Sequence, residues 1–128
     1  MSAKHFKWVM TAVVLGTLFC MAPGGREQVF KGEIADSQCA NNVHSLDRSH
    51  AEMLKKKAVG KTAADCTRYC VKYMGGLYVI EIGQKVYKLD NQELADKYAG
   101  QQVKIVGVLD PPTNTIAVRS IAPLHAGN

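Results

Sequence analysis

Cys39, Cys66 and Cys70 are the residues of this 128-residue chain best suited to chemistry, with His44 and Met74 as their nearest helpers. Cys66 and Cys70 stand four apart. On a helix they share one face, with Cβ atoms roughly 5–6 Å apart. A relaxed disulfide needs about 3.5–4.5 Å, so they are poorly placed to join each other. Two arrangements stay open. In the first, Cys39 pairs with Cys66 or Cys70 and one thiol is left over. In the second, all three hold a metal. Three thiolates with His44 form a set suited to tetrahedral zinc. Met74, one turn beyond Cys70, would add a thioether and shift the preference toward Cu(I). A third chemistry is thiol–disulfide exchange, which needs a lowered thiol pKa. Arg68, Lys72 and a place near the helix N-terminus would lower that of Cys66. The Cys-x3-Cys spacing is wider than the Cys-x-x-Cys of redox pairs.

Other enzyme classes find little support. There is no Gly-x-Ser-x-Gly elbow, phosphate loop or dinucleotide fingerprint. The chain reads as a non-enzymatic binding or structural module, with a thiol oxidoreductase as the enzyme alternative. His50 is a second insert histidine, while His5 and His125 lie near the ends of the chain.

The N-terminus bears on the redox setting of these thiols. Lys4 and Lys7 precede an apolar run, Trp8 to Ala22, that is shorter than the roughly 20 residues of a spanning helix. The pattern predicts a signal peptide over residues 1–24, with Gly25 as the first mature residue, and a secreted or periplasmic product. Cys20 leaves with that peptide, so an odd number of thiols enters an oxidising compartment. Removing Lys4 and Lys7 leaves 14 basic residues against 11 acidic ones, and the formal charge falls from +5 to +3. So mild a charge predicts no nucleic-acid partner. The expected partner is an unidentified ligand or protein of the cell envelope. Lys55, Lys56 and Lys57 read as a solvated helix face.

The elements that must position the cysteines follow from periodicity. Gln28 to Ala35 reads as a strand with Phe30 and Ile34 on one face. A helical insert occupies about residues 40–75. Its first helix starts at the Ser49/Glu52 capping box and stops at Gly60. Its second starts at Thr62 and Asp65 and carries Ala63, Cys66, Cys70 and Met74 as one stripe, ending at Gly75-Gly76. The period then becomes two. Leu77 to Ile82 and Lys85 to Leu89 form a hairpin through Gly83-Gln84, suited to a type II′ turn. A short helix begins at Asp90 and Glu93 and ends at Gly100. Val103 to Leu109 and Thr115 to Ile121 form a second hairpin. A mainly β domain is therefore expected over residues 25–122. Its expected form is a small five-stranded OB-like barrel with a two-helix insert between strands one and two, leaving 123–128 as a tail.

Together these residues form a recognisable pattern. It runs Asp36-Ser37-x-Cys39, a histidine at 44 or 50, Cys66-Thr67-x-x-Cys70-Val71-Lys72 and Lys85-Val86-Tyr87-x-Leu89. It ends with Val103-x-Ile105-x-Gly107-x-Leu109-Asp110 and Thr115-Ile116-x-Val118. This resembles a family of small exported bacterial proteins built on a domain of unknown function, from about residue 28 to 122. The resemblance implies export, one small β-rich domain and a Cys/His constellation. It assigns no activity, substrate or ligand.

Overall fold

The computed structural model describes residues 25–41 and 60–125. The expected signal segment, His44, His50, the lysine run at 55–57 and the expected first insert helix lie outside the described residues, as does the end of the tail. The architecture is mainly β. The element order is β1 (Glu27–Asp36), α1 (Ser37–Ala40), α2 (Ala63–Tyr73), β2 (Tyr78–Ile82), β3 (Lys85–Leu89), α3 (Gln92–Asp96), β4 (Gln102–Asp110) and β5 (Thr115–Pro123). Among the described residues no helix is long and apolar enough to cross a membrane.

The five strands pair in the order β1-β2-β3-β5-β4, and β4 returns to β1, so the sheet closes on itself. β1 serves both neighbours: Glu27 to Glu33 register with Val108 to Gln102 of β4, and Glu33 to Asp36 with Glu81 to Tyr78 of β2. Closure comes from a short parallel ladder in which Lys88 and Leu89 meet Thr115 and Ile116. Two adjacent hairpins do not by themselves specify that pairing. Alternate side chains point inward and fill the interior: Phe30, Ile34, Ile80, Leu89, Val103, Ile105, Ile116 and Ile121 are buried in one cluster.

The turns follow residue chemistry. Gly83 has φ +60° and lets β2 reverse into β3 in two residues. The start of α3 differs from the sequence reading by one residue. Asn91 is its N-cap, accepting from Leu94 N at 2.9 Å. Asp90 instead accepts from Val118 N at 2.8 Å, tying the β3 end to β5. β1 also runs on to Asp36, one residue past the expected strand end, and Ser37–Ala40 form a single helical turn, α1.

α2 is held on the sheet at two places. Its first turn lies on Gly100, where an added Cβ would come 2.4 Å from Ala64 N. On its exposed flank Arg68 reaches α3: Nε donates to Asp96 Oδ1 at 3.1 Å and Nη2 to the Asp96 carbonyl at 2.8 Å. The Tyr78 hydroxyl of β2 donates to the same carboxylate oxygen. This partnership, chiefly the Tyr78 hydrogen bond, holds the Asp96 carboxyl below its usual range. Burial and that hydrogen bond push Tyr78 up to about 12.

A depressed carboxyl contributes stability above its unfolded pKa, near 4, and loses it as pH falls through the lower folded value. A raised phenol contributes below its unfolded pKa, near 10, and loses it as pH rises toward 12. Tyr78→Phe is therefore expected to cost about 1 kcal/mol near pH 7, discounted because Asp96 is half exposed. The cost should shrink as pH falls below the usual carboxylate range. Urea midpoints of both proteins at pH 7 and in acid check this, and a pH-independent difference would contradict it.

Candidate metal centre

Asp36, the last residue of β1, has an extended backbone, and its Oδ1 accepts from Gln38 N at 3.0 Å and Cys39 N at 2.9 Å. An aspartate N-cap thus turns the strand into α1 and aims Cys39 inward. Ser37 locks the same turn to the chain preceding β2: its N donates to the Leu77 carbonyl at 2.9 Å, and its Oγ accepts from Leu77 N at 3.0 Å. Cys39 arrives on a braced corner.

The other two thiols come from α2. A capping box starts this helix: Thr62 Oγ1 accepts from Asp65 N at 3.1 Å while Asp65 Oδ2 accepts from Thr62 N at 3.0 Å. At its far end Gly76 N and Met74 N both donate to the Cys70 carbonyl at 3.1 Å, with Gly75 at φ +72° completing the stop. Between these ends only the middle of the stripe expected from the spacing is buried. Cys66 is fully buried and Cys70 nearly so, whereas Met74 is 43 % exposed at the helix end.

The three sulfurs lie within 4.8 Å of one another and form a buried cluster of their own, separate from the barrel core. Tetrahedral zinc with bonds of about 2.3 Å separates its sulfur ligands by about 3.8 Å, so a small contraction suits a metal. All three are free thiols here, with no disulfide among them. Among the described residues no histidine joins the cluster. His44 lies outside them.

Electrostatically the cluster is the reverse of a redox site. Burial, then the Asp36 charge, pushes all three thiols up, with Cys70 at about 12 and Cys39 the most affected. The expected activation of Cys66 by Arg68 and Lys72 is absent. The Arg68 guanidinium is committed to Asp96, and Lys72 Nζ sits 5.1 Å from the Tyr73 ring centre. Metal-free, these are protonated thiols, and a cation must displace protons to bind them.

Asp36 is the residue that motif reasoning undervalued, because its type at a strand end reads as turn chemistry. It is that, since it caps α1, but it is also fully buried, and its charge, after burial, helps to push all three thiols up. The signal was the adjacency of Asp36 to Cys39 in one short string.

No curated protein and no solved structure matches this chain. A family described as "Protein of unknown function (DUF5818)" matches residues 75–124, which span β2 to β5 and leave the three cysteines outside the matched stretch.

Proposed function

We propose that the chain is an exported OB-like domain whose helical insert is fastened to the barrel by a thiophilic metal, zinc or Cu(I), held by Cys39, Cys66 and Cys70. The observation that carries this reading is the mutual approach of three buried sulfurs from two separate elements. A disulfide uses two sulfurs and needs only those two together, whereas a metal gives all three a reason to converge. The setting supports it too: thiols sent to an oxidising compartment persist when a metal occupies them. The strand order, with a helix between β3 and β4, supports the OB-like description. Burial of every sulfur favours a closed structural site over a catalytic one with an open position. His44 is the sequence-derived candidate for the fourth ligand.

Native and denaturing mass measurements test this on protein recovered from the cell envelope without chelator. The expected result is a reduced chain with one metal ion, lost in Cys39→Ser. A metal-free chain lighter by two hydrogens would establish one disulfide instead, and His44→Ala would then leave stability unchanged. Under the metal reading His44→Ala is expected to weaken zinc binding, because it removes the fourth ligand.

A further inference from the structure

We infer that the exposed flank of α2 is a binding groove for acidic sugars, carbohydrate rings that carry a carboxylate. This goes beyond the metal reading and does not depend on it.

A groove of about 520 Å³ follows α2 from its first turn to its last, lined by Lys61, Asp65, Arg68, Tyr69, Lys72 and Tyr73. That volume suits a small ligand or a few rings of a chain. Tyr69 and Tyr73, one helical turn apart, are 41 % and 62 % exposed. Their ring centres are 5.0 Å apart and the planes tilt by 47°. Two adjacent aromatic rings held toward water contribute little to the core, and together they make a platform on which another ring can lie.

The charge beside that platform is positive. The Asp65 carboxylate is taken up by the Lys61 and Thr62 amides at the start of the helix. Arg68 is engaged by Asp96. Lys61 and Lys72 remain, and among the described residues neither pairs with an acid. Lys72 Nζ sits 5.1 Å from the Tyr73 ring centre, so ring and ammonium are presented together. A carboxylate is the group that complements them.

The openness of the groove selects the kind of ring. A bound ring meets tyrosine on one face only. An aromatic acid or a nucleotide base is apolar on both faces and would leave one of them in water. A sugar ring is two-sided: its C–H groups can lie on the tyrosines while its hydroxyls stay hydrated, so an open platform suits it best.

The test titrates the full chain with a galacturonate trimer, the galacturonate monosaccharide and the uncharged galactose trimer, read by calorimetry. The galacturonate trimer is expected to bind, and the galactose trimer at least about 10-fold more weakly. Tyr73→Ala, and separately the pair Lys61→Gln and Lys72→Gln, should each weaken galacturonate binding by about 10-fold. The melting midpoint should not move, because these side chains are exposed. Tyr73→Phe keeps the ring and should keep the affinity. The pair Lys85→Gln and Lys88→Gln removes the same charge from β3 and should leave binding unchanged. Equal binding of monosaccharide and trimer would mark a free sugar acid as the ligand, and binding of the trimer alone an acidic polysaccharide. No binding of either galacturonate, equal binding of the galactose trimer, or equal losses in the two lysine pairs overturns the inference. So does tighter binding of a single-stranded oligonucleotide.

Discussion

Cys66→Ser and Cys70→Ser are each expected to abolish tight metal binding and to lower the melting midpoint by a similar, large amount. A metal present at 1,000 times its dissociation constant stabilises the folded chain by about 4 kcal/mol. For a domain of this size each kcal/mol moves the midpoint by about 4–8 °C. The loss is therefore about 15–30 °C, and a strong chelator acting on the wild-type protein should reproduce it. The pair of variants matters more than either alone. In a disulfide only one helical cysteine partners Cys39, so one variant would lose about 2–4 kcal/mol and the other little. Thermal melts of both proteins, with zinc and with chelator, read the difference directly. A large drop confined to one variant would refute the metal reading, as would chelator-insensitive wild-type stability.

Gly100→Ala should destabilise far more than Gly83→Ala, although both glycines have positive φ, +71° and +60°. Each substitution costs about 1 kcal/mol or somewhat more for a left-handed backbone. At Gly83 an added Cβ meets nothing within 4 Å, so that is the whole cost. At Gly100 the Cβ would fall 2.4 Å from Ala64 N and 2.6 Å from the Ala63 carbonyl carbon. Backbone cannot swing aside as a flexible side chain does, so the first turn of α2 must lift off the barrel. The expected cost is about 3 kcal/mol or more. Because Cys66 and Cys70 ride on α2, the damage should extend to metal affinity, which Gly83→Ala leaves alone. Denaturant midpoints and zinc titrations of the two variants check both parts, and equal effects would show that α2 does not depend on this contact.

Fold and site were legible to different depths. The alternation of Phe30, Ile34, Ile80, Val103, Ile105 and Ile116 marks the inward faces of strands, because a one-residue slip would expose the whole set. Gly83-Gln84 announced its hairpin because few residues accept that backbone geometry. The start of α3 was less legible: Asp90 and Asn91 are both good N-caps, and the choice between them fell to a long-range hydrogen bond from Val118 to Asp90. Likewise, the expected activation of Cys66 rested on Arg68 and Lys72 being near in sequence. Both side chains leave the helix in other directions, because Asp96 and Tyr73 offer them partners.

Local chemistry was within the sequence's reach: capping pairs, turn glycines, strand periodicity and the placing of Cys66 and Cys70 on one helix face depend on neighbours within a few residues. Tertiary structure alone decided that β3 pairs in parallel with β5 to close the sheet, and that the α1 corner carries Cys39 to within 4.8 Å of the other two sulfurs. It alone also left the Asp36 carboxylate fully buried, three residues before Cys39. Those outcomes depend on contacts between residues tens of positions apart, which no short-range pattern encodes. They are set by how α1 packs against Leu77 and α2 against Gly100 and Asp96.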